Sequence, residues 1–293
     1  MKAAPFDYAA PTSVEEAVGL LAEHGDEAKV LAGGQSLVPV LALRLARPGV
    51  LVDVNRVEGL AGVRRDNGAV RVGALTRHAA VEHDRELAGA VPLLARAAPL
   101  IGHFQIRNRG TIGGSLAHAD PAAEWPAVAL ALDAELEVHS GGGARMIEAR
   151  DFFLSTFMTA LEPADLLVAA WFPAWGASAG FAVEELARRS GDFAIAGVMC
   201  GVQVAGGRVT RAAIALLGMG STPLRADAAE RQLAGSAPDS LDLAGLGRLA
   251  VAGLEPPGDI HASGDYRRRV GAALVSRALA RALDEAQREA EHG

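Results

Sequence analysis

Gly110, Gly113 and Gly114 fall within the run from Arg107 to Asp120, Arg-Asn-Arg-Gly-Thr-Ile-Gly-Gly-Ser-Leu-Ala-His-Ala-Asp, which constrains the fold more than any other part of the chain. Glycine removes a side chain where backbone must approach a ligand closely. It also reaches positive φ, which lets successive N–H groups turn toward one point. Thr111 and Ser115 add hydroxyl donors. An earlier loop, Ala32-Gly33-Gly34-Gln35-Ser36, lies between an apolar strand-like run and an apolar helix-like run. One such loop suits a phosphate, and two suit a pyrophosphate.

Composition narrows the partners. The chain has 293 residues, enough for two domains of roughly 100–200 residues each, and half of them are hydrophobic, which supplies a core. No apolar run reaches the roughly 18 residues of a spanning helix, so no transmembrane segment is expected. The first residues lack a basic segment followed by an apolar one, so no signal peptide is read and the expected location is cytoplasmic. The net charge of −7 argues against nucleic acid, whose partners gather Lys and Arg against phosphates. It also leaves a pyrophosphate to be held chiefly by backbone N–H groups and helix N-termini. Arg107 and Arg109 are the nearest cations, each equally readable as a solvated loop residue. Cys200 is the sole cysteine, which excludes an intramolecular disulfide and a four-cysteine cluster in this chain. Its apolar neighbours make it a buried, inert thiol.

Taken in order, Ser13 and Glu16 form a capping box for a helix through His24, with Val14, Ala17, Val18 and Leu21 as its apolar stripe. A strand over Ala28 to Leu31, the first glycine loop, a helix from Leu37 to Leu45 and a strand from Val50 to Val54 make a β-loop-α-β unit. That places the loop where anions bind. Gly-x-Gly-x-x-Gly is absent from the turn, so the unit is not a Rossmann dinucleotide site. Gly218-Met219-Gly220-Ser221-Thr222-Pro223 has proline in the third glycine's place and reads as an ordinary turn. Asp66-Asn67-Gly68 signals a hairpin within Val63 to Ala74. Thr76 is the expected cap of the following helix, and Leu87 to Leu100 reads as one helical stretch. Pro121 to Leu132 is a further helix. Ala134 to His139 and Arg145 to Ala149 form a hairpin, and Asp165 to Phe172 is a strand. Pro173 to Ser178 is the best linker, dividing a domain over residues 1–175 from one over 176–293. The second reads as α+β, with strands over Gly180 to Arg188, Ala194 to Val204 and Val209 to Leu217. Three helices follow, over Asp227 to Leu233, Leu241 to Leu254 and Tyr266 to Arg288.

Other chemistries are poorly served. Ser115, His118 and Asp120 are triad residue types, but they crowd one loop and lack a Gly-x-Ser-x-Gly elbow, so His118 reads as a packed loop histidine and Asp120 as a turn residue. His78 and His83 are five apart, which misses the i, i+4 face of a zinc helix, and no metal site is expected.

The two loops, with Arg188-Arg189-Ser190-Gly191-Asp192-Phe193-Ala194 and Asp259-Ile260-His261-Ala262-Ser263 downstream, resemble the FAD-binding medium (flavoprotein) subunit of molybdenum hydroxylases of the carbon monoxide dehydrogenase and xanthine dehydrogenase family. The likeness spans nearly the whole chain, with all four motifs in family order. It implies an α+β architecture: a two-part FAD-binding domain followed by a smaller domain of a three-stranded sheet plus helices. It implies FAD as cofactor, bound by Ala32, Gly33, Gly34, Gln35, Ser36, Thr111, Ile112, Gly113, Gly114 and Ser115 at the pyrophosphate, by Glu124 at the adenosine ribose, and by Asp192 and Phe193 beside the isoalloxazine. The alternative reading of Glu124 is a first-turn glutamate at a helix N-terminus, which needs no ligand. The sequence departs from the family at Glu185, where related subunits often carry lysine.

The function implied by the resemblance is electron transfer. Electrons would pass from a molybdopterin large subunit through iron–sulfur centres of a small subunit to this FAD, and on to an external acceptor. The assembly would be a dimer of heterotrimers. No catalytic residue is assigned, because the flavin carries the chemistry. The alternatives are a free-standing FAD-dependent oxidase or dehydrogenase, with Asp192 as the one candidate base, and a nucleotide-binding scaffold without redox activity.

Overall fold

The computed structural model describes residues 2–292. Ser13 caps the helix Val14–His24 by accepting a hydrogen bond from Glu16 N at 3.1 Å, and Glu16 Oε2 accepts from Thr12 N at 2.8 Å. The reciprocal cap is therefore present with its return bond one residue earlier than in the standard box. Ala17, Val18 and Leu21 bury the expected stripe, against Val50, Val52, Leu166 and Val168.

Ala28–Leu31 and Val50–Asp53 pair in parallel, and Asp7–Ala9 joins the far side of Val50–Asp53. The intervening helix, Leu37–Ala42, is shorter than the apolar run suggests. Its exit is fixed by Arg44, which takes a positive φ of 58°. This small parallel sheet presents the first glycine loop at the carboxyl end of a strand, where ligands of open α/β sheets bind.

A five-stranded antiparallel sheet follows. Its centre is Leu166–Pro173, flanked by the hairpin Val63–Asp66 with Ala69–Gly73 and by the hairpin Glu135–Ser140 with Gly143–Glu148. Asn67 and Gly68 both take positive φ in the first hairpin's turn, as the Asn-Gly pair predicts. The single helix expected over Leu87 to Leu100 is instead split into Arg85–Ala90 and Pro92–Ala97. Pro92 lacks an N–H and opens the second piece rather than continuing the first. Thr76 does not cap its helix either. Its hydroxyl donates to Gly62 O at 3.1 Å and accepts from Gly62 N at 3.0 Å, tying the end of the hairpin to the loop before it. Leu93, Leu94, Ile112, Leu116, Trp125 and Val128 pack a helical layer on Val70, Val72, Leu136 and Phe172, each large side chain worth about 1.5–3 kcal/mol of burial.

The last third is an antiparallel meander of Ala179–Ala187, Ala194–Ala205 and Arg208–Leu217. A two-residue fourth strand, Leu224–Arg225, adds to the three expected. Leu274, Val275, Leu279 and Leu283 of the long helix Gly264–His292 cover one face. The linker expected at Pro173 to Ser178 is packed. Pro173 ends the central strand, and Trp175 lies against Phe181 with ring centroids 5.3 Å apart and under the Arg211 guanidinium at 4.1 Å. Further bonds cross between the two parts: Arg96 to Glu285 at 2.6 Å, and Arg225 to Leu130 O at 2.8 Å and to Asp133 at 2.7 Å.

Candidate cofactor-binding site

The two glycine loops, 77 residues apart in sequence by the separation of Gly33 from Gly110, touch in the fold. A Cβ on Gly33 would lie 2.8 Å from Gly110 Cα and would strike the Arg109 carbonyl. A Cβ on Gly114 would lie 2.7 Å from Thr111 Oγ1 and 3.6 Å from the Ala32 Cβ, and one on Gly113 would run into the Ala74 backbone at 2.7 Å. Among these loop glycines Gly34 has positive φ, at 71°, so the others are glycine because neighbours crowd them rather than because the backbone turns left-handed.

Hydrogen bonding separates the loops by role. In the second loop the N–H groups are already engaged: Gly110 to Ile106 O, Ile112 to Thr76 O, Gly113 to Ala74 O, Gly114 to Thr111 Oγ1 and Ser115 to Thr111 O. Thr111, expected as a hydroxyl donor, is a buried acceptor that caps the helix Ile112–His118. In the first loop, among the described residues, no internal acceptor engages the N–H of Gly33, Gly34, Gln35 or Ser36, and Ser36 heads the helix Leu37–Ala42 without a side-chain cap bond. These amides are the free donors of the pair of loops, as an anion cradle requires. The second loop supplies a rigid wall and the Ser115 hydroxyl, which has no internal partner among the described residues.

Two residues outside the motifs belong to this site. Asn55 Nδ2 donates to Ala32 O at 2.8 Å, and Arg77 donates to Asn55 Oδ1 at 2.7 Å and to Arg109 O. Burial, then the neighbouring Arg109 charge, lower the Arg77 pKa from its ordinary value. Sequence reading looked for cations inside the loops and missed Arg77. The available signal was Asn55, placed just beyond a parallel strand's carboxyl end. Arg107, by contrast, is structural. It pairs with Glu82 at 2.7 Å and donates to Gly102 O at 2.9 Å.

The remaining predicted residues lie beyond the far end of the helix Ile112–His118. That helix spans about 10 Å at 1.5 Å per residue, which sets them apart from the two loops. His118 stacks on Phe157 with centroids 4.8 Å apart, and burial lowers its pKa. Asp120 Oδ1 accepts from Ala122 N at 2.9 Å, as a turn residue does. Glu124 begins the helix Glu124–Ala131 and is buried. Burial and then the Glu185 charge push its carboxyl up to about 8, with Asp120 adding to the effect. Glu185, its Oε2 buried without a partner, is pushed up to about 7 by burial. Gly191, at φ 86°, packs on the His103 ring, leaving Asp192 exposed and the Phe193 ring 65% exposed. Gly218 N donates to Pro121 O at 2.8 Å, which brings the Gly218 turn to this end of the site.

The late motif is a clamp. Asp259 Oδ1 accepts from His261 N and Ala262 N at 2.8 and 2.9 Å, while Oδ2 pairs with buried Arg267 at 2.5 Å. Arg267 in turn donates to Ile195 O and Gly218 O. It holds the strand that follows Phe193. His78 is buried and accepts from Trp125 Nε1 at 2.9 Å, with its pKa lowered to about 4 by burial and the nearby Arg107 and Arg77 charges. Cys200 is fully buried, and burial raises its pKa.

Known proteins resemble this chain over nearly its whole length. The family model described as "FAD binding domain in molybdopterin dehydrogenase" matches residues 4–175, and "CO dehydrogenase flavoprotein C-terminal domain" matches residues 181–282. The chain is 46% identical to the 6-hydroxypseudooxynicotine dehydrogenase complex subunit alpha of Paenarthrobacter nicotinovorans, over 98% of this chain and 97% of that one. It is 39% identical to the carbon monoxide dehydrogenase medium chain of Hydrogenophaga pseudoflava, over 94% and 96%. A solved carbon monoxide dehydrogenase from Hydrogenophaga pseudoflava superposes with a TM-score of 0.95 at 40% identity, covering 97% of this chain and 99% of that chain. Quinoline 2-oxidoreductase from Pseudomonas putida 86 superposes at 0.91 and 37% identity, covering 98% and 99%.

Proposed function

Since this chain belongs to the family of FAD-binding medium subunits of molybdenum hydroxylases, we propose that it relays electrons from iron–sulfur clusters of a small partner subunit, through FAD, to an external acceptor. A molybdopterin-bearing large subunit would deliver the electrons and select the substrate, in a dimer of heterotrimers working in the cytoplasm. The observation that carries the reading is the meeting of the two glycine loops with the first loop's amides free, joined by one short helix to an end that carries an exposed aromatic ring.

FAD supplies the redox chemistry when bound, and the chain's residues bind and orient it. The free N–H groups of Gly33, Gly34, Gln35 and Ser36, with the Ser115 hydroxyl, would hold the pyrophosphate against the bare Gly114 surface. Thr111, Ile112 and Gly113 would set that surface, and Ala32 would fix the approach. Glu124 would meet the adenosine ribose, and a protonated carboxyl there donates one hydrogen bond as well as accepting. Asp192 and Phe193 would flank the isoalloxazine edge. We place the domain division at 175/176.

Neither Ala32 to Ser36 nor Thr111 to Ser115 contains a cysteine or histidine able to form a covalent link. Acid precipitation is therefore expected to release FAD into the supernatant, read by its absorbance, and flavin retained on the denatured protein would contradict non-covalent binding. For the relay itself, rapid-mixing spectroscopy should show slow flavin reduction when the isolated subunit meets an organic substrate of the complex. Reduction should become fast once the iron–sulfur and molybdenum subunits are added. Fast reduction of the isolated subunit would favour a free-standing dehydrogenase, with Asp192 as its base.

A further inference from the structure

We infer that Asn55 and Arg77 are positioning residues for FAD: they form a clasp that aims the first glycine loop's amides and sets its spacing from the second. The inference rests on the cofactor reading above. Among the described residues no backbone hydrogen bond joins Ala32 to Ser36 with Arg107 to Ser115. The loops touch through Gly33 and Gly110, and such contact is weakly directional. The connection that has direction is a chain of side-chain bonds. Arg77 Nη1 donates to Arg109 O, Arg77 Nη2 donates to Asn55 Oδ1 at 2.7 Å, and Asn55 Nδ2 donates to Ala32 O at 2.8 Å.

The last bond orients an amide. In a trans peptide the C=O and the N–H point opposite ways, so anchoring Ala32 O on Asn55 turns the Gly33 N–H away from the clasp. Gln35 repeats the device one peptide later, its Nε2 donating to Gly33 O at 3.1 Å and thereby turning the Gly34 N–H. Asn55 is itself held, with its N–H 2.9 Å and its Nδ2 2.6 Å from Asp53 Oδ1. Tyr8 Oη donates to the other Asp53 oxygen at 2.6 Å. Arg77 suits its place because a planar guanidinium donates to two acceptors in fixed directions, which an ammonium does not.

The test is FAD titration of the flavin-free protein, followed by quenching of flavin fluorescence, alongside thermal melting without flavin. Arg77→Ala and Asn55→Ala are each expected to raise the Kd for FAD about 10- to 100-fold. Because both break one clasp, the double variant should bind within about threefold of the weaker single variant. Arg77→Lys, which keeps one of the two bonds, should fall between the parent and Arg77→Ala. Melting temperatures of all variants should stay within about 3 °C of the parent, as expected for partly exposed residues outside the core. Unchanged Kd values, multiplicative losses in the double variant, or losses matched by a collapse in melting temperature would overturn the clasp. Failure of the parent itself to bind FAD would overturn the cofactor reading, and the clasp with it.

Discussion

Gly33→Val is expected to abolish measurable FAD binding while the protein still folds. The new Cβ alone would sit 2.8 Å from Gly110 Cα and against the Arg109 carbonyl, all backbone, with no flexible side chain to give way. The loops must then separate, and forced overpacking of this kind costs about 1–3 kcal/mol or more, which is roughly 10- to 100-fold or more in affinity. The branched γ carbons add to the intrusion. Gly114→Val should act similarly, because its Cβ meets Thr111 Oγ1 at 2.7 Å and breaks the cap of Ile112–His118. Gly141→Ala, at a hairpin turn where a Cβ meets nothing within 4 Å, serves as the control and should bind FAD as the parent does. Normal binding by Gly33→Val would mean that the loops do not form the pyrophosphate cradle.

The second large effect is on stability against pH. Glu124 and Glu185 ionise at about 8 and about 7 in the folded chain, and an unfolded glutamate ionises near ~4.3. Folding therefore favours their protonated forms. Their stabilising contribution is full below ~4.3 and shrinks as pH rises, until it is lost above about 8. Asp53, Glu137, Asp165 and Glu285 are shifted downward, mainly by hydrogen bonds and ion pairs that outweigh their burial, and they act oppositely: their contribution is lost as pH falls through their folded values. Melting temperature should accordingly peak on the acid side of neutrality and decline from about pH 6 to pH 8. Glu185→Gln should flatten that decline. Glu185→Lys, which places a cation where related subunits often carry one, should raise the melting temperature at pH 8 by several degrees, on the order of 1–3 kcal/mol for an unpaired buried charge relieved. Identical pH profiles in parent and variants would remove the burial of the Glu124 and Glu185 carboxyls as a determinant of stability.

How much of this was legible in the sequence depends on the range of the interaction. Short-range chemistry was plain: Ser13 with Glu16 wrote a cap, Asn67-Gly68 wrote a turn, and apolar runs parted by short turns wrote the meander, because each needs only neighbours along the chain. Both glycine loops were visible for the same reason. Their division of labour was not, since the Gly113 N–H is spent on Ala74 and that of Ile112 on Thr76, residues more than thirty positions upstream. Local pattern likewise overran at Leu87 to Leu100, where the break at Pro92 set the helix boundary, and at Thr76, whose hydroxyl was taken by Gly62. Arg77 and Asn55 carried no motif at all. Their role arises because a parallel strand ends at Asp53 beside the first loop, while the start of the helix His78–His83 lies beside the second. The motif Asp259 to Ser263 was readable as a family mark. Its work as a clamp on Ile195 and Gly218 was decided by tertiary packing, because a buried guanidinium takes whichever carbonyls the fold brings to it.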